Sequence, residues 1–179
     1  IPFFGGAAVG DRAKTHWQEV YIAMLGPVYG LGMCVVALIA WWITGIEIVG
    51  QVATFGALIN LFNLLPIYPL DGGRVVKAIA WSASPNITTP FLLAISAAAF
   101  AVTAYAGLYL LSFFLIFGVI DLLGSRQQML NDQTLPMNGY GMSVSGAWFV
   151  ATIAAFVALM WLMADAVPGG EVPMVMLRD

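Results

Sequence analysis

One stretch of this chain sets side chains able to do chemistry into an otherwise apolar background: Asn63-Leu64-Leu65-Pro66-Ile67-Tyr68-Pro69-Leu70-Asp71-Gly72-Gly73. It closes an apolar run that begins at Val52 and is interrupted only by Asn60 and Asn63 among its polar positions after Thr54. An ionisable residue at the end of a membrane segment is costly, and marks a functional site by default. The two prolines stop a helix, because each lacks an N–H and its ring collides with the preceding turn. The two glycines are expected to let the backbone turn tightly. The Asp71 carboxylate is then presented into a polar cavity, where it coordinates a metal or moves protons. The plainer alternative is an interfacial Asp-Gly-Gly turn capping the cytoplasmic end of a helix.

The other candidates are weaker. His16, the sole histidine, lies beside Trp17 in a polar stretch with no partner at i+4, and reads as exposed or interfacial rather than metal-binding. An aspartyl protease needs two facing carboxylates. Asp71 and Asp121 are the candidates on apolar segments besides Asp165, but Asp121 stands close to Arg126 and reads as a paired or hydrated interfacial acid. Ser143 and Ser145 have no histidine after them and read as helix-start caps. Cys34 permits no internal disulfide and reads as a small apolar filler. Phe113, Phe114, Phe117, Phe149, Phe156 and Trp161 recur at helical spacing, as packing or lipid-facing residues do.

What must position these residues follows from composition. Of 179 residues 61% are hydrophobic and 8% charged, against about 25% charged in a soluble domain, and mean hydropathy is +0.94. The apolar runs are continuous rather than alternating, which selects a helical bundle over a barrel. The net charge is -3 and no basic stripe occurs, so nucleic acid is excluded as a partner. The expected fold is therefore all-α, one polytopic transmembrane domain over residues 1–179 with about five membrane segments, and the lipid bilayer is its first partner.

The first run extends from Val20 to Ile43 and carries Gly26-Pro27, with Gly30 and Gly32 after it. The second is Val52 to Leu70, which must leave helical geometry near its end. A short stretch to Ser84 follows, suited to the interface. From Phe91 to Leu123 a single helix would measure about 50 Å, beyond a hydrocarbon core of about 30 Å, so a hairpin is expected near Ala106-Gly107. The last span runs from about Val144 to Met163. With five crossings Arg12, Lys14, Arg74, Lys77 and Arg126 share one side, which orients Asp71 towards the cytoplasmic face.

These residues resemble the site-2 protease family of intramembrane zinc metalloproteases. The resemblance is carried by the Asn63–Gly73 segment, NLLPIYPLDGG, by Pro2-Phe3-Phe4-Gly5-Gly6, similar to the family's P-F-G-G strand region, and by Leu25-Gly26-Pro27, similar to its A-G-P helix. It covers roughly residues 1–80, and implies a protease-core part over 1–84 with additional membrane helices and a tail over 85–179. It implies a zinc cofactor with Asp71 as third ligand, and Asn63, Pro66, Pro69, Gly72 and Gly73 as support for the active site and its substrate strand. It also implies a transmembrane or membrane-anchored protein as substrate, and a short β-strand region at the N-terminus. The family's other two ligands and its general base come from an H-E-x-x-H helix. This chain has no H-E-x-x-H, and Gly30 stands where the family usually has Asn. The motif is expected upstream of Ile1, the 179 residues reading as a fragment that does not hydrolyse peptides alone. Alternatives are an inactive relative, or a membrane transporter or structural subunit. The resemblance implies a multi-pass protein of a bacterial or archaeal cell membrane.

Overall fold

The computed structural model describes residues 15–107, 109–130 and 134–167. Six helices follow in order: α1 (His16–Thr44), α2 (Glu47–Asn63), α3 (Asp71–Ala83), α4 (Pro85–Tyr105), α5 (Tyr109–Leu130) and α6 (Gly139–Ala166). Among the described residues there is no strand, only an isolated parallel bridge between Thr15 and Leu135. The strand region expected at Pro2–Gly6 lies outside the described residues.

Each boundary has a local cause. Thr15 caps α1 by accepting a hydrogen bond at Oγ1 from the Gln18 N–H, 3.2 Å. Gly45, at φ 66, ends the helix in the left-handed conformation and donates its N–H to the Trp41 carbonyl at 2.7 Å. Pro85 opens α4, where its missing N–H costs nothing. The hairpin expected near Ala106-Gly107 is present: α4 ends at Tyr105, and Gly107 turns the chain at φ 75. Ser112 Oγ donates to Thr103 Oγ1 at 2.9 Å across its two arms.

The start of α6 corrects an expectation. Asn138 caps it, accepting the Gly141 N–H at 2.8 Å. Ser143 and Ser145 therefore lie inside the helix rather than at its cap, the former donating to the Gly139 carbonyl at 3.0 Å. Asn138→Ala is expected to cost about 1 kcal/mol, read as a lowered midpoint of thermal unfolding in detergent.

The span count is also corrected. Among the described residues three helices are long and apolar enough by themselves to cross a bilayer: α1, α4 and Gly139–Ala164 of α6. α2, with 17 residues, measures about 25 Å and falls short of a hydrocarbon core of about 30 Å. The apolar part of α5, Ser112–Gly124, is shorter still. The protein is an integral membrane bundle of helices. Its outer faces carry Tyr29, Met33, Val36, Trp42 and Ile43 in the open, as lipid contact requires.

α1, α2 and α6 share the main core, in which Val20, Met24, Ala53, Ala57, Phe156, Met160 and Met163 are buried. Lipid tails are as apolar as these side chains, so close contact between the helices supplies the stabilisation. Gly50, Ala53 and Ala57 give α2 the small face that permits it. At one end of the bundle the start of α1, the end of α3 and the segment before α6 meet. There His16 N–H donates to the Leu135 carbonyl at 3.2 Å, and Met137 N–H to Ser82 Oγ at 3.0 Å.

Candidate active site around Asp71

α2 pairs with α1 in antiparallel fashion through notches left by glycine. A Cβ placed on Gly50 would lie 2.9 Å from Trp41 Cδ1, and one on Gly56 would lie 3.1 Å from Cys34 Sγ. A Cβ on Gly30 would land on the carboxamide of Asn60. Asn60 itself donates from Nδ2 to the Gly56 carbonyl at 2.8 Å, so its carboxamide is held against α1. The Asn60 carboxamide therefore fills the space beside Gly30 that a side chain at that position would need.

The next contact along α1 belongs to Asp71. A Cβ on Gly26 would lie 3.2 Å from Asp71 Oδ2. Further down α3, Lys77 Nζ donates to Glu19 Oε1 at 3.1 Å. Hence α2, the break after it and α3 form one interrupted path alongside α1. Gly26 lies about ten residues, or about 15 Å, into α1. The break therefore sits within the bundle, well inside the end at which α1 begins.

Irregular backbone at such depth is tolerated only when its polar groups are satisfied. The N–H groups of Leu64, Leu65, Ile67 and Leu70 meet it within the break and the end of α2. Leu64 N–H donates to the Asn60 carbonyl at 3.1 Å and Leu65 N–H to Phe62 at 3.0 Å. Ile67 N–H donates to Leu65 at 2.7 Å and Leu70 N–H to Ile67 at 2.9 Å. Pro66 and Pro69 have no N–H to satisfy. The Tyr68-Pro69 peptide is cis.

The glycine pair works differently from the sequence expectation. Gly72 and Gly73 do not form a turn; they lie in the first turn of α3 and are buried. A Cβ on Gly72 would collide with the Leu64 carbonyl, and one on Gly73 with the Ile67–Tyr68 peptide. Their role is close approach: the loop folds back across the start of α3 because no side chain stands in its way. From the opposite side α5 presses Gly118 onto Pro69, where a Cβ would also lie 2.7 Å from the Tyr68 carbonyl oxygen.

Asp71 is held in this frame with its side chain 30% exposed, and Arg74 Nη1 stands 4.0 Å from Oδ1. Asn63 ends α2 and is half-buried, Pro69 is half-buried and Pro66 is exposed. The six residues singled out in the sequence thus lie on one continuous segment around the break. Among the described residues, however, no hydrogen bond joins Asn63 to Asp71. His16 is not brought to Asp71. It is buried, which corrects the exposed reading, and its Nδ1 lies 3.3 Å from Glu19 Oε2. The Asp121 side chain lies outside the described residues.

A carboxylate with open lone pairs fits one ligand position of a zinc site, which needs three protein donors in a catalytic centre. Among the described residues no group of three His, Cys, Asp or Glu side chains is close enough to hold a metal. The segment offers one carboxylate and the scaffold that holds it.

A helical membrane bundle with a lone carboxylate at an interrupted helix is the class that fold and site define. Comparison with known proteins shows what this segment is similar to. The model of Peptidase family M50 matches residues 40–106, a segment that contains the whole Asn63–Gly73 motif but neither Pro2–Gly6 nor Leu25–Pro27. The chain is 36% identical over 97 residues to sll0528 of Synechocystis, covering 51% of this chain and 26% of the relative. It is 36% identical over 96 residues to Rip3 of Mycobacterium tuberculosis, covering 44% and 22%. With MJ0392 of Methanocaldococcus jannaschii the identity is 35% over 80 residues, covering 42% and 23%. The names of all three include the words zinc metalloprotease. No solved structure matches the chain. Residues 40–106 are thus similar to peptidase family M50, and the chain spans about a quarter of the length of these relatives. A bacterial or archaeal origin fits the organisms in which they occur.

Proposed function

We propose that the full-length protein is an intramembrane zinc metalloprotease in which Asp71 is one of the zinc ligands. The observation that carries this reading is the placement of Asp71 at a helix break inside the bundle, on a segment that matches the M50 family model. Zinc, when bound, supplies Lewis acidity towards a peptide carbonyl and activates water. The residues of this chain do the holding. α3 fixes the carboxylate, the notch at Gly26 gives it room, and the loop packed on Gly72 and Gly73 limits its motion. The remaining two ligands and the general base belong to an H-E-x-x-H helix elsewhere in the protein, and the 179 residues alone are expected to be inactive. Its substrate is a transmembrane or membrane-anchored protein whose unwound strand meets the exposed Leu65-Pro66 edge.

The test is zinc content and cleavage of a membrane-anchored reporter by the purified full-length protein. One tightly held zinc is expected, lost together with cleavage in Asp71→Ala. Undiminished cleavage in that variant would remove Asp71 from the site. A second reading, an ion or proton transporter, is favoured by the interrupted path of α2 and α3, since broken helices with a carboxylate at the break are how transporters build ion sites. Solute or proton flux in vesicles from a protein that binds no zinc would establish it instead.

A further inference from the structure

We propose that Lys77 is a positioning residue whose single ammonium clamps the segment on both sides of Asp71. Lys77 Nζ donates to Glu19 Oε1 at 3.1 Å, and it lies 5.9 Å from the centroid of the Tyr68 ring. Tyr68 precedes Asp71 on the loop, and Lys77 follows it on α3. One cation therefore ties the loop before the carboxylate and the helix after it to the start of α1.

Three observations make this more than a surface ion pair. The Lys77 and Glu19 side chains are 15% and 18% exposed, so each charge has little water to take the place of the other. The other oxygen of Glu19 is engaged by His16 Nδ1 at 3.3 Å, and the His16 N–H is bonded to Leu135, so the carboxylate is fixed in direction. A lysine ammonium is a compact charge that can face a carboxylate and the π-face of an aromatic ring together. Arg74, although nearer to Asp71, is 39% exposed and pairs with that carboxylate on its own helix, so it does not tie α3 to α1. The clamp is a property of the scaffold and holds whether or not Asp71 binds zinc.

The experiment measures where the loop sits, without reference to metal or cleavage. In the full-length protein with Cys34→Ala, spin labels are placed at Leu65→Cys on the loop and Tyr29→Cys on α1, both exposed positions. A second pair at Val36→Cys on α1 and Val150→Cys on α6, also exposed, reports the rest of the bundle. The parent is expected to give one narrow distance for each pair. Lys77→Met shifts and broadens the Leu65–Tyr29 distance while the Val36–Val150 distance stays narrow, and Lys77→Arg restores the first. Should Lys77→Met fail to fold, Tyr68→Leu against Tyr68→Phe carries the same test, because only the former removes the ring. A narrow, unshifted loop distance in Lys77→Met or Tyr68→Leu overturns the proposal, as does equal broadening of both pairs.

Discussion

Gly72→Ala and Gly73→Ala are each expected to destabilise the protein by about 3 kcal/mol, the upper part of the range for forcing extra atoms into a packed interior. Elsewhere in a helix the same change usually helps, since alanine is favoured over glycine by about 1 kcal/mol. What reverses the sign here is the nature of the obstructing atoms. The added methyl meets the backbone of Leu64 at position 72 and that of Ile67 and Tyr68 at position 73. A flexible side chain would swing aside, but these carbonyls and N–H groups belong to the hydrogen-bonded loop that keeps irregular backbone satisfied inside the bundle. At Gly32 and Gly124 an added methyl would have nothing within 4 Å, so these two serve as comparison sites. Gly32→Ala and Gly124→Ala are expected to stay within about 0.5 kcal/mol of the parent or slightly above it. Thermal unfolding in detergent measures all four. Gly72→Ala and Gly73→Ala variants as stable as the comparison pair would mean that the loop does not rest on α3.

The origin of this effect shows what was legible in the sequence. The end of α2 followed from Pro66 and Pro69, because proline acts on its own neighbours and needs no tertiary information. The hairpin at Gly107 followed from length alone, a run too long for one span. Asp71 stands out in the sequence through the cost of an ionisable group on an apolar segment. Gly72 and Gly73 were identified but given the wrong task, since a glycine pair reads equally as a turn and as a place of close contact. Only the position of Leu64 and Ile67 in space distinguishes the two.

Other features left no local signal. Gly30 departs from the family pattern in sequence, yet the Asn60 carboxamide fills its notch, a relation between residues on different helices. Gly118 is one glycine among many until Pro69 is found beneath it. Lys77 counted in the sequence only as a charge that orients the bundle, and His16 only as a lone histidine. Their shared contact with Glu19 joins α3 to α1 and turns both into parts of the frame around the site. The count of spans failed for a physical reason as well. Hydropathy registers the apolar run up to Leu70, but the helix stops at Asn63 and resumes at Asp71, so one run is divided between an incomplete span and a loop.

Asp71→Asn and Gly26→Val are expected to abolish or cripple proteolysis in the full-length protein by different routes, which makes the pair more informative than either alone. Asn keeps the shape of the side chain and removes the charge, so it loses the anionic oxygen that a zinc ligand requires. Cleavage should fall to background with the fold retained. Gly26→Val leaves the carboxylate intact but invades its space, because even the first added carbon would stand 3.2 Å from Oδ2, tighter than ordinary contact. The carboxylate must then shift away from α1. A displacement of about 1 Å at a reacting centre costs about 10²-fold in rate, and the loss should appear in kcat/KM without loss of the charge. Gly26→Ala, whose single methyl meets only the end of a side chain, is expected to fall between parent and Val. The series is read as kcat/KM on a membrane-anchored reporter beside zinc content. If Gly26→Val cleaved as the parent does while Asp71→Asn did not, the carboxylate would act from a position other than the one facing α1. If both cleaved normally, the chemistry would lie away from this break altogether.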